Sequence, residues 1–159
     1  MRRKEREVKD IARLDEMIRE CQVARLGLCD GDYPYVVPLN FGYTFEGETL
    51  VVYFHSALEG RKLDLIRANP NACVEFDRMF SIIAGENACS HSTILESVIG
   101  FGRAELVEDG AEKVKGLNLL MLHHTGKGDN DFSNCIGATA VIKVTLTEFA
   151  GKTNRKKED

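Results

Sequence analysis

A mainly β architecture is what the sequence predicts: six or seven antiparallel strands in short hairpins, three flanking helices, and a sheet curled into a small closed or split barrel. Three observations carry it. Runs rich in β-branched and aromatic residues recur at short intervals between turn signals such as Asp30-Gly31, Glu46-Gly47-Glu48 and Asn69-Pro70. Helical periodicity is confined to three segments. No long polar linker and no repeat divides the 159 residues, so one domain over 1–150 with a solvated tail at 151–159 is expected, and a barrel spares such a domain its exposed sheet edges.

Val8, Ile11, Leu14, Met17, Ile18 and Cys21 recur at three- and four-residue steps after Asp10, a suitable N-cap, which predicts a helix over 11–21. VARLGLC (23–29) is short and apolar and leads through Asp30-Gly31 into 33–45, where Tyr33, Tyr35, Val37 and Leu39 share a face. Pro34 and Pro38 cannot donate to a ladder, so this strand is either interrupted or lies partly at an edge. TLVVYFHS (49–56) is the most strand-like run in the chain. Two hairpins in succession predict a meander. Leu63, Leu65 and Ile66, closed by Asn69-Pro70, predict a short helix over 59–68. NACVEFD (71–77) reads as a strand. Residues 78–95 stay open, because MFSIIAG is strand-like and ENACSHSTIL has no decisive period. Alternation from Val98 predicts a strand over 97–108, with Gly100 and Gly102 suited to barrel bends. Val114, Leu117, Leu120 and Met121 then mark a helix over 109–123, 123–134 is a polar glycine-rich loop, and 138–149 alternates as a final strand.

The formal net charge of -4 gives no broad reason to bind nucleic acid. No run approaches the roughly 20 apolar residues of a membrane span, and the charged start MRRKEREVKD is unlike a signal peptide, so a cytoplasmic protein is expected. Five scattered cysteines without a CxxC pair are expected to be reduced, small core residues. Cys89 and His91 lack a second ligand pair at a recognised spacing, so no metal site is expected. His123-His124-Thr125-Gly126-Lys127 does not match a phosphate-binding GxxxxGK[ST] loop.

The stretch FHSALEGRKLDLIRANP (54–70) carries the strongest chemical hint. Arg61 and Lys62 fall in the first turn of a helix, with His55 just upstream, where the dipole favours negative charge. One reading is an anion site in which Ser56, the free N–H groups of the helix start, Arg61 and Lys62 hold a phosphate. The other is a solvated helix face with Glu59 offsetting the positive charge. A strand broken by Pro38 and followed by Gly42 likewise either presents unpaired backbone groups to a flat heterocycle or is an ordinary edge.

In order along the chain, DGDYPYVVPLNFGY, LVVYFHSALEGRKLDLIRANPNACVEFD and CSHSTILESVIGFGRAELVED resemble the pyridoxamine 5′-phosphate oxidase-like, FMN-binding split-barrel superfamily. Within it, the resemblance is to the NimA-type branch, named for 5-nitroimidazole resistance, and covers roughly residues 5–149. It implies a six-stranded antiparallel split barrel that forms a homodimer, with FMN at the subunit interface. The isoalloxazine would lie against Val37, Pro38, Leu39 and Asn40. The phosphate would be held around His55, Ser56, Arg61 and Lys62, and the segment at Ser97 and Val98 would approach the flavin, from the same or the other subunit. His55 would deliver protons or bind phosphate. The implied activity is an oxidoreductase that passes electrons from a reduced nicotinamide to a small planar acceptor such as a nitroaromatic. A non-catalytic flavin carrier, store or sensor is the alternative. A haem-handling protein is a third, weakened by the lack of an evident axial ligand. The chain departs from the branch at His91 and Leu95, where relatives often carry tryptophan and an aromatic residue.

Overall fold

Asp10 starts the first helix of the computed structural model, which describes residues 2–155. Its carboxylate accepts a hydrogen bond from the Arg13 N–H at 2.9 Å, opening α1 (Ile11–Arg19) with Leu14, Met17 and Ile18 buried. Ahead of it lies the two-residue strand β1 (Glu7–Val8). Then come β2 (Ala24–Asp30), β3 (Tyr33–Leu39), β4 (Phe41–Glu46), β5 (Thr49–Ser56), α2 (Arg61–Ala68), β6 (Asn71–Ile83), β7 (Ser92–Leu106), α3 (Gly110–Thr125) and β8 (Ala140–Thr153).

All strand pairs are antiparallel, in the order β3-β2-β6-β7-β8-β5-β4, with β1 added to the end of β8. The expected meander does not form. The segment 33–45 is two strands, β3 and β4, which occupy opposite edges of the sheet and are joined by Asn40 alone. One residue spans about 3.8 Å between neighbouring Cα atoms, so the sheet must curl until its edges adjoin. The result is an open, split barrel with its seam at Asn40. This division and β1 account for eight strands where the resemblance implied six. Pro34 and Pro38 sit on edge strand β3, where a missing N–H donor is tolerated.

Three other boundaries move. β6 and β7 extend through the unassigned segment as a long hairpin with a register shift between Met79 and Ser81, and its tip is tied by reciprocal hydrogen bonds between Asn87 and Ser90. Its apolar period is hard to read because Met79, Ile82 and Ile83 are exposed. α3 continues to Thr125 and is closed by Gly126 at φ 74°, so His123 and His124 form its last turn rather than a loop. β8 runs to Thr153, with Gly151 buried against Leu14 and Met17, which shortens the predicted tail; residues 156–159 of that tail lie outside the described residues.

The barrel interior is filled by Leu26, Phe41, Val52, Phe54, Val74, Phe76, Ile142 and Val144, and α1 plugs one side. A smaller cluster of Val51, Tyr53, Leu117 and Val141 lies between β5 and α3. α3 comes this close because Gly42 of β4 faces α3 and Gly116 of α3 faces β5: a Cβ on Gly42 would stand 2.2 Å from the Leu120 nitrogen, and one on Gly116 2.5 Å from the Tyr53 ring. Glu96, 4% exposed, accepts from Arg13 and from the Thr153 hydroxyl at 2.9 Å, pinning α1 to β7 and β8. The cysteines are a correction. Cys21 is buried and Cys73 half-buried, but Cys29, Cys89 and Cys135 are exposed, placed by strand alternation and by loops rather than by the core.

Candidate functional site at the barrel seam

β5 ends at the seam. Phe41 pairs with Phe54 in the β4–β5 ladder, which sets Asn40 beside His55. Successive side chains on a strand point to opposite faces. Ser56 therefore follows Phe54 and Val52 toward the barrel interior, and His55 follows Tyr53 and Val51 toward α3. Ser56 is 9% exposed, and its hydroxyl has no hydrogen-bond partner among the described residues. His55 is exposed. The two residues that the sequence grouped as one phosphate cradle thus present their side chains to different faces.

From Ser56 the chain turns through Gly60, whose φ of 142° suits glycine, into α2. No side chain caps this helix. The Leu63 and Asp64 N–H groups donate to the Gly60 carbonyl at 2.9 and 3.4 Å, and the N–H groups of Arg61 and Lys62 precede them at the open helix start. Lys62 is half-buried and forms no salt bridge among the described residues. Arg61 is different. Its Nε donates to Asp30 Oδ2 at 2.7 Å, so a carboxylate from the end of β2 already holds its guanidinium. Asp30, rather than Glu59, offsets that charge. Asp30 read in sequence only as a turn residue.

Val37 and Leu39 on β3 are half-buried and pack on the core, whereas Pro38 and Asn40 are exposed and the Asn40 amide donates to the Gln22 carbonyl at 3.3 Å. β3 is an edge strand, so one side of its backbone has no strand partner. This open edge and the β5–α2 corner meet at the seam. Ser97 and Val98 are not brought there within one chain. Val98 is 1% exposed in the core, and Ser97 pairs with Lys152 near one end of β8 while His55 pairs with Val141 near the other. Ser97 instead borders an outer-face cleft of about 620 Å³ with Ile99, Phe101 and Phe149. A neighbouring cleft of about 560 Å³ is lined by Gly27, Pro34, Val36, Cys73 and Phe101.

His124 is the second residue that sequence reasoning missed, since HHTGKG reads as a polar loop. Its ring lies 6.2 Å from that of Phe41 and 4.8 Å from that of His123, centroid to centroid. Its Nε2 is buried without a hydrogen-bond partner among the described residues. Burial pushes its pKa down, aided by His123 and, more weakly, by His55; the Phe41 backbone carbonyl acts in the opposite sense. His123 is fixed by donating from Nε2 to the Cys21 carbonyl at 2.7 Å.

Among solved structures, a protein named for 5-nitroimidazole antibiotic resistance from Bacteroides thetaiotaomicron is similar at 31% identity and a TM-score of 0.77, covering 92% of this chain and 85% of that one. The flavocytochrome Anf3 from Azotobacter vinelandii matches at 21% identity and a TM-score of 0.78, covering 100% and 75%. An FAD- and haem-binding protein from Mycobacterium smegmatis matches at 16% and 0.78, covering 97% and 76%. The last two likenesses are of fold. No curated protein matches the sequence. The pyridoxamine 5′-phosphate oxidase family matches residues 10–153, nearly the whole barrel with its seam, and the chain belongs to that family.

Proposed function

We propose that this chain binds FMN at the seam and acts, as a homodimer, as an oxidoreductase between a reduced nicotinamide and a small planar acceptor such as a nitroaromatic. One observation carries the cofactor reading. A buried hydroxyl without a partner (Ser56), an uncapped helix start and a half-buried lysine without a salt bridge (Lys62) occur together at the β5–α2 corner. That donor set suits a phosphate: Ser56 and the N–H groups of α2 donate hydrogen bonds, and Lys62 supplies the charge.

The open edge of β3 at Val37–Leu39, with Asn40, offers backbone and amide groups to a flat ring, and the half-buried Val37 and Leu39 shield one side of it from water. When bound, FMN supplies the hydride- and electron-carrying ring. His55, exposed beside Asn40, would deliver a proton to that ring or to the acceptor. The homodimer is supported by the outer sheet face: Val36 and Phe101 are each 57% exposed and Ile99 43%, an apolar surface of the kind that a second copy covers. A partner's Ser97 segment would reach the seam only across such an interface.

The test begins with the visible spectrum of the purified protein and titration with FMN and FAD. A colourless protein that takes up no FMN refutes the reading. Lys62→Ala should weaken FMN binding about tenfold or more, the loss of one charge-assisted contact. Arg61→Ala should cost less, and Asp30→Asn, which releases Arg61, should tighten binding. Anaerobic mixing with NADH or NADPH then decides turnover: reduction of the bound flavin supports the oxidoreductase, and a flavin that stays oxidised supports the carrier, store or sensor.

A further inference from the structure

Ser56 Oγ and His124 Nε2 are the two buried side-chain polar atoms without a hydrogen-bond partner among the described residues, and both lie at the seam end of the barrel. Leaving such a group unsatisfied costs about 1–3 kcal/mol. Ser56 belongs to the phosphate corner. His124 has no part in it and calls for a partner of its own.

Packing fixes its place. α3 lies directly on Gly42 of β4, and the following turn carries His123 and His124 onto Phe41, whose ring is 4.4 Å from that of His123. The bond from His123 to the Cys21 carbonyl fixes that turn. Phe41 opposite Phe54 brings Asn40 and His55 to the same corner, and the His124 ring, 6.2 Å from that of Phe41, lies beside it. We propose that His124 is a further ligand-contacting residue of the seam, hydrogen-bonding through Nε2 to the phosphate-free part of FMN from the α3 side. The inference rests on the FMN reading above.

A neutral imidazole donates or accepts one hydrogen bond at Nε2, and the ring and ribityl groups of a flavin offer both complements. The groups facing His124 are His123 on α3, the Phe41 carbonyl on β4 and His55 on β5. A ligand that covers the ring buries it further and disfavours its charged form more strongly. By linkage, affinity must then fall as pH drops through the histidine range.

Titrations with FMN and with riboflavin, which lacks the phosphate, test this in the wild type, His124→Phe, His124→Gln and Lys62→Ala. Replacing His124 should weaken both ligands by the same factor, about two- to tenfold for one hydrogen bond, whereas Lys62→Ala should weaken FMN alone. The fall in riboflavin affinity at low pH should vanish in His124→Gln and persist in His55→Gln. A folded His124→Phe protein with wild-type riboflavin affinity, or a pH dependence retained in His124→Gln, overturns the proposal. A wild-type protein that binds neither ligand overturns the FMN reading itself.

Discussion

Gly42→Ala adds one methyl group where α3 crosses β4. The new Cβ would lie 2.2 Å from the Leu120 nitrogen, 2.5 Å from the Leu119 carbonyl carbon and 2.7 Å from the Leu120 Cα, against an ordinary contact of 3.4 Å or more. These are backbone atoms and cannot rotate aside, so α3 must retreat from β4 by about an ångström. Overpacking of this kind costs about 1–3 kcal/mol, and the rigid obstacle places this case near 3. For a chain of this length each kcal/mol moves Tm by about 2–4 °C, so Gly42→Ala should melt about 6–12 °C below the wild type. Gly110→Ala is the control. It stands at the first position of α3 with nothing within 4 Å of its added Cβ and should leave Tm unchanged or slightly raised. Thermal unfolding followed by far-ultraviolet circular dichroism reads both. A Gly42→Ala protein that melts within 2 °C of the wild type, as a roughly zero-cost change, would refute the close-contact argument, as would equal losses for the two variants.

Two further outcomes follow from buried and paired charges. Glu96→Ala removes the buried carboxylate that Arg13 and Thr153 share, leaving Arg13 only its exposed partner Glu16, and should cost about 1.5–3 kcal/mol in urea denaturation, with Glu96→Gln falling between it and the wild type; a loss under about 1 kcal/mol would show that the pair does not hold α1. The Tyr53 hydroxyl donates to Glu112 at 2.6 Å, and Lys143 lies 3.2 Å away, which together keep that carboxyl below its usual range. A carboxyl with a lowered folded pKa adds stability above its unfolded pKa and loses it as pH falls through the folded value. Glu112→Gln should therefore melt below the wild type at neutral pH, and the gap should close as pH falls below the ordinary carboxylate range; a gap independent of pH would refute the linkage.

Elements governed by local pattern were legible. Asp10 and its apolar steps located α1, and Asn69-Pro70 closed α2. Pro34 and Pro38 pointed to a strand either interrupted or partly at an edge, since a missing donor is a local property that constrains position in a sheet. Strand order was not legible. Alternation continues smoothly from Tyr33 to Phe45, and nothing in it records that Asn40 separates strands at opposite edges, because that depends on pairings with β2 and β5 far apart in sequence. The site divides the same way. Cations at the start of α2 were visible as a conflict with the helix dipole. Their unequal standing was not, because the carboxylate that holds Arg61 comes from Asp30, and His124 reaches the seam only because α3 runs one turn further than its apolar stripe.

The passage of the chain through Asn40 would couple the binding of a ligand at the seam to the closure of the sheet. β3 and β4 share no ladder, so the two lips of the barrel are held by packing rather than by backbone hydrogen bonds. A molecule that touches β3 on one lip and the end of β5 behind the other acts as a strut between them. At a hundredfold excess over Kd it contributes about 2.7 kcal/mol to the folded state, and slowed amide exchange should appear on both lips together.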